Sequence, residues 1–129
     1  MVMLNINKSR GFTLIELLAV MAIIALLLTI AAPKYFSSVD RSREAILRQD
    51  LATIREALDK YYGDTGQYPD SLEDLTTRKY LRHIPKDPIT ESEATWVVVP
   101  PTNGAKGSVY DVTSGAEGTG LDGTAYSEW

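Results

Sequence analysis

The chain is 129 residues long, with a formal net charge of −4, one histidine and no cysteine. That length holds one small domain beside one membrane segment. The missing thiols exclude a disulfide framework and thiol chemistry, and a lone histidine makes a poor zinc site. The acidic balance argues against a nucleic-acid surface, which needs concentrated Lys and Arg.

The first predicted element opens at Lys8-Ser9-Arg10-Gly11-Phe12-Thr13-Leu14-Ile15-Glu16 and runs on as an apolar stretch to Ala32. From Leu17 to Ala32 there is no charge, and Thr29 is the one polar side chain. Phe12 to Ala32, about 21 residues, would span about 31 Å as a helix, roughly one bilayer core. Glu16 lies near the start of that run. A carboxylate in lipid is costly, so Glu16 either reaches the headgroups from the helix end or has a functional partner. Lys8 and Arg10 precede the span and no comparable cluster lies just inside it, which orients the N-terminus to the cytoplasm. A secretory peptide would be cut after its apolar region; Ala31-Ala32 could mimic such a site, but Pro33 follows directly. Met1 and Met3 are both candidate starts.

Gly11-Phe12-Thr13-Leu14-Ile15-Glu16 resembles the leader junction of type IV pilins and type II secretion pseudopilins. In that family a short basic leader ends in Gly, the next residue is usually Phe, and a Glu follows four residues later. The resemblance implies that a prepilin peptidase cuts between Gly11 and Phe12 on the cytoplasmic side and that Phe12 is then N-methylated. It also implies that Glu16 meets the amino terminus of a neighbouring subunit. A buried carboxylate is tolerable when a cation and hydrogen bonds meet it. Loss of Lys8 and Arg10 with the leader would take the formal charge from −4 to −6.

Pro33 interrupts the apolar pattern, and a continuous helix with a bend is expected there. From Lys34 to Tyr62 the chain becomes amphipathic, with Ile46/Leu47, Leu51, Ile54, Leu58 and Tyr61/Tyr62 on one face. Glu44 with Arg48, Arg55 with Asp59 and Glu56 with Lys60 are spaced as i,i+4 pairs on a mostly solvated face. Part of this charge, from Asp40 to Arg48 especially, is also placed to reach neighbouring subunits.

Gly63 is expected to stop the helix, with Gly66 close behind and Tyr68-Pro69 completing a turn. Asp70 with Glu73 three residues on reads as the cap of a short helix to about Leu75. Gly66-Gln67-Tyr68-Pro69, Leu72 with Leu75, and Pro85-Lys86-Asp87-Pro88 are similar to the same region of major pseudopilins; Tyr68 and the prolines read as fixing the loop and packing on the long helix, and His83 as an exposed loop residue. Two strands follow: Ala94–Val99, ended by Pro100-Pro101, and Val109–Thr113, joined by a Gly-rich turn. Such a hairpin is marginal alone and must pack on the Leu51/Leu58 face.

The tail from Ser114 to Trp129 holds four glycines, three acids and several hydroxyls. Small-residue loops with spaced oxygens suit calcium, which takes oxygen ligands in flexible geometry. Major pseudopilins bind calcium in a comparable loop. Carried over, the candidate ligands are Ser114, Glu117, Asp122 and the backbone carbonyl of Leu121, with Glu117 standing where an Asp is common. The alternative is a metal-free loop pinned by Tyr126 and Trp129.

The expected fold class is α+β: a long N-terminal helix, transmembrane in its first half, packed on a small antiparallel sheet, a pilin-like lollipop. The expected organisation is a leader over 1–11, a membrane and filament-core helix over 12–33, an amphipathic helix over 34–62, and a small globular region with a Gly-rich C-terminal loop over 63–129. The resemblance implies a structural, non-enzymatic subunit, closest in kind to the major pseudopilin, whose missing cysteines also set it apart from disulfide-stapled pilins. Its expected partners are further copies of itself as a homopolymer, the prepilin peptidase, the inner-membrane assembly platform, minor pseudopilins and the membrane. Its expected place is a single pass of the bacterial inner membrane, with the C-terminal domain in the periplasm and the assembled filament driving protein secretion. The alternative is a pilin-like subunit for adhesion, motility or DNA uptake. A membrane-anchored enzyme would need a nucleophile and base, or a metal constellation, for which the chain offers little. A monomeric anchored binding module is the third class.

Overall fold

The computed structural model describes residues 11–129; the leader residues Lys8 and Arg10 and the candidate starts Met1 and Met3 lie outside the described residues. The chain forms two compact units, one ending at Ser37 and the other running from Ser38 to Trp129. Helix α1 spans Leu14–Thr65 and includes Pro33. Proline cannot donate to the carbonyl four residues back, but its fixed φ is compatible with helix, and α1 continues through it.

The helix ends three residues later than the glycine pattern suggests. Gly63 lies inside α1. Gly66 is the stop: its φ is 75°, and its N–H donates to the Tyr62 carbonyl at 2.8 Å. Left-handed backbone at that position suits glycine and satisfies a terminal carbonyl.

In the second unit α1 supplies most of the core. Leu47, Leu51, Ile54, Ala57, Leu58 and Tyr61 are buried, joined by Leu72, Leu75, Trp96, Val109 and Val112. Of the two ambiguous pairs, Leu47 and Tyr61 turn inward while Ile46 and Tyr62 stay exposed. Each fully buried leucine contributes about 1.5–3 kcal/mol by removal from water. Tyr62 is not idle: its ring stacks on Tyr68 at 4.5 Å, which lays the Tyr68-Pro69 turn along the helix, with Pro69 fully buried.

Helix α2 is Leu72–Thr77, with Ser71 rather than Asp70 at its N-cap. The Ser71 side chain makes no capping bond; instead the Asp74 carboxylate accepts the Asp70 N–H at 3.0 Å. Strands β1 (Val97–Val99) and β2 (Asp111–Thr113) pair antiparallel, Val98 opposite Val112. Both are shorter than the β-branched runs imply. The core takes Trp96, just before β1, rather than the half-exposed Val97 and Val98. The Trp96 indole N–H donates to the Pro85 carbonyl at 2.8 Å. A long helix packed on a small two-stranded sheet is the expected α+β class.

Candidate functional site

Gly11, Phe12 and Thr13 precede α1 in irregular backbone and are exposed, Phe12 to 88%. Thr13 and Glu16 form a reciprocal cap. The Glu16 N–H donates to Thr13 Oγ1 at 3.1 Å, and the Thr13 N–H donates to Glu16 Oε2 at 3.3 Å. This is the Ser/Thr-x-x-Glu capping box, and it places the carboxylate at the positive end of the helix dipole. The pattern is visible in the sequence, yet an intramembrane reading of Glu16 draws attention away from it. Behind the cap, every residue from Leu14 to Ile30 is exposed. A helix apolar and exposed on all sides needs lipid or other helices around it.

The C-terminal loop gathers on a different part of α1. Glu44, Arg48 and Arg55, read from sequence as members of solvated i,i+4 pairs, turn to tertiary partners instead; of the three anticipated pairs, only Glu56–Lys60 forms, at 3.5 Å. Glu44 is buried, and its Oε1 accepts the Leu121 N–H at 2.7 Å and the Tyr126 hydroxyl at 3.1 Å. The Arg48 guanidinium meets Asp122 Oδ2 at 3.2 Å and lies 3.9 Å from the centre of the Trp129 ring. Arg55 donates to Asp111 Oδ1 at 2.8 Å, to the Val112 carbonyl at 3.1 Å and to the Trp129 main-chain oxygen at 2.7 Å.

The four residues expected to hold calcium are engaged separately. Ser114 is fully buried; its hydroxyl donates to Asp87 Oδ2 at 2.5 Å and accepts the Ala116 N–H at 3.1 Å. Asp122 Oδ1 accepts the Thr124 hydroxyl at 2.7 Å and the Thr124 N–H at 3.0 Å, while Oδ2 faces Arg48. Leu121 is tied by its N–H to Glu44, and Glu117 is exposed. Among the described residues no group of three His, Asp or Glu side chains is placed to hold a metal ion. So arranged, this set does not fit a calcium ion: the Ser114 and Asp122 oxygens already have donors, and a guanidinium pairs with Asp122.

The Thr124 hydroxyl first, then the Thr124 N–H, hold the Asp122 carboxyl below its ordinary range; Arg48 adds to this and burial opposes it. A carboxyl depressed in the fold stabilises it above the unfolded pKa, and that contribution is lost as pH falls through the folded value. Acidification below the ordinary carboxylate range should therefore loosen the loop, read from the Thr124 amide resonance. Asp122→Asn should abolish that acid-dependent step.

Asp87 reads from sequence only as part of the Pro85-Lys86-Asp87-Pro88 motif, with no sign of its burial. It is fully buried, with Oδ1 accepting the Ile89 N–H at 2.8 Å and the Thr90 N–H at 3.3 Å, and Oδ2 accepting from Ser114. Burial first, and the Asp87 charge second, push the neighbouring Asp50 carboxyl up, with His83 opposing. His83 itself is exposed, as expected.

The family described as prokaryotic N-terminal methylation motif matches residues 6–32. The chain is similar to the type II secretion system core protein G of Pseudomonas aeruginosa, 31% identical over 98 residues, covering 64% of this chain and 69% of that protein. It is 28% identical to the core protein G of Vibrio cholerae over an alignment of 141 positions, covering 93% of each chain. A type IV major pilin protein, PilA of Myxococcus xanthus, is 32% identical over 68 residues, covering 53% of this chain and 31% of the pilin. No solved structure matches. The capped, uniformly exposed apolar helix, the small antiparallel sheet and these similarities agree: the chain belongs to the type II secretion system core protein G family, the G-type pseudopilins.

Proposed function

We infer that this protein is the structural subunit of a type II secretion pseudopilus, a homopolymer drawn from the inner membrane to drive protein export. The observation that carries the reading is the Gly11–Glu16 junction opening directly onto a helix whose apolar surface is exposed. Cleavage between Gly11 and Phe12 by the prepilin peptidase would leave a positively charged amine next to the capped first turn, with N-methylation at Phe12 following. Glu16 already accepts one backbone N–H; in the filament its carboxylate would also meet the Phe12 amine of a neighbouring subunit. A carboxylate so met is tolerable in an apolar bundle, and removing one partner strands the other's charge. The domain after Ser38 would then stand in the periplasm, and the platform and minor pseudopilins would be the assembly partners. The pilin-like alternative draws on the Myxococcus match, which spans less of either chain.

The test is intact mass of the protein from native membranes, together with the sheared filament fraction of wild type, Glu16→Ala and Thr13→Ala. The expected chain begins at Phe12 and carries one added methyl. Glu16→Ala should be absent from the sheared fraction. Thr13→Ala removes only the reciprocal cap, about 1 kcal/mol, and should still assemble. A chain retaining the leader, with Glu16→Ala assembling like wild type, would overturn the filament reading.

A further inference from the structure

We propose that the C-terminal loop is closed by a charged stripe of α1, formed by Glu44, Arg48 and Arg55, in place of a divalent cation. Steps of four and seven residues return to nearly the same face of an α-helix, so the three side chains form one row beneath the loop. Between them they reach Asp111 and Val112 at β2, and Leu121, Asp122, Tyr126 and Trp129 in the tail.

A tail with four glycines is costly to order, since glycine loses the most backbone freedom on folding. A bound ion is one way to offset that cost. Here the offset comes from hydrogen bonds with an ionised partner, roughly twice as strong as neutral ones. Glu44 is buried and accepts two tail donors, so it fixes Leu121 and Tyr126 together. Arg55 anchors the far end through the Trp129 main-chain oxygen.

Arg48 is the residue that answers the cation question. Its guanidinium lies between the Asp122 carboxylate and the Trp129 ring, bonded to the one and stacked on the other. The Trp129 indole N–H in turn donates to Thr124 Oγ1 at 2.6 Å, closing a ring of contacts around Asp122. An ion bound at Asp122 would sit beside the Arg48 charge and compete with it for the carboxylate. The exposed Arg48–Asp122 pair is weak alone; its place in the row, and its stacking on Trp129, give it its role. The proposal is independent of the filament reading, because it concerns closure within one chain.

The test uses the full chain in detergent micelles, in millimolar calcium chloride or in chelator. Thermal midpoint, cleavage after the exposed Glu117 by a glutamyl endopeptidase, and the heat of calcium addition are measured. The expected result is the same midpoint and cleavage rate in both conditions, and no calcium-binding heat. Arg48→Gln, at an exposed position that tolerates the change, should speed tail cleavage several-fold in calcium and chelator alike. Calcium slowing cleavage or raising the midpoint of the wild type would overturn the proposal, as would Arg48→Gln cleaving at the wild-type rate.

Discussion

Asp87→Ala is expected to destabilise the second unit by about 3–5 kcal/mol, lowering its thermal and denaturant midpoints well beyond a surface substitution. The carboxylate is fully buried and accepts from the Ile89 and Thr90 N–H groups and from the Ser114 hydroxyl. Alanine would leave all three donors without their partner, at about 1–3 kcal/mol for each that water cannot reach. Ser114 is itself fully buried at the end of β2, so the loss propagates from the Pro85–Pro88 turn to the start of the tail. Asp87→Asn separates the parts of this effect. Its amide oxygen can still accept from Ile89 and Thr90, but its NH2 confronts a hydroxyl that was donating. A cost of about 1–2 kcal/mol is expected, about one hydrogen bond. Removing the Asp87 charge should also bring the Asp50 carboxyl down towards its ordinary range, since that charge is the second cause of its rise after burial. Equal stability of wild type and Asp87→Ala in urea would show that the buried carboxylate is dispensable.

What could be read from the amino-acid pattern alone follows how local each feature is. The apolar run and the periodic Leu51–Leu58 face appear where the pattern places them, whereas the two β-branched segments pair over only part of their length. The α1 terminus shows the limit. Gly63 and Gly66 are chemically identical, and only the positive φ at Gly66 separates the stop from a helical residue. The Glu44, Arg48 and Arg55 row lay beyond local reasoning altogether. Spacing of four residues predicts pairs within the helix, worth a few tenths of a kcal/mol, whereas the partners at Asp111, Leu121 and Asp122 lie far along the chain. Once the tail folds back, a buried Glu44 with two donors outweighs an exposed pair with Arg48. Asp87 was hidden for a related reason. Between two prolines it reads as a turn residue, and its burial depends on Ser114, 27 positions later. The Thr13–Glu16 capping box was present in the pattern but went unread beside the membrane carboxylate, and the cap is what the described chain shows of Glu16.

Gly107→Ala should be the most disruptive single-methyl change in the second unit, about 3–5 kcal/mol from two additive sources. The first is backbone conformation: Gly107 has φ of 105°, which side chains rarely adopt and which costs about 1–3 kcal/mol for a non-glycine residue. The second is space. A Cβ there would overlap the Tyr68 carbonyl oxygen, and the Tyr68 Cα lies 2.9 Å from the same point. Neither neighbour can swing aside, because both belong to backbone held in place. The Tyr68 N–H donates to the Lys106 carbonyl at 2.9 Å, and Ser108 and Val109 donate to the Pro69 carbonyl at 3.1 and 3.0 Å. Relief therefore requires separating the segment before β2 from the Tyr68-Pro69 turn, which would also disturb the buried Val109 and Pro69. Gly66→Ala and Gly63→Ala resolve the two sources. Gly66 has positive φ but open space, so only the conformational cost should appear. Gly63 is helical with open space, and alanine there should raise stability by about 0.5–1 kcal/mol. The expected order of thermal midpoints is Gly63→Ala above wild type, then Gly66→Ala, then Gly107→Ala lowest. A Gly107→Ala midpoint level with that of Gly66→Ala would mean that the Tyr68 turn yields freely and is not what positions β2 against the long helix.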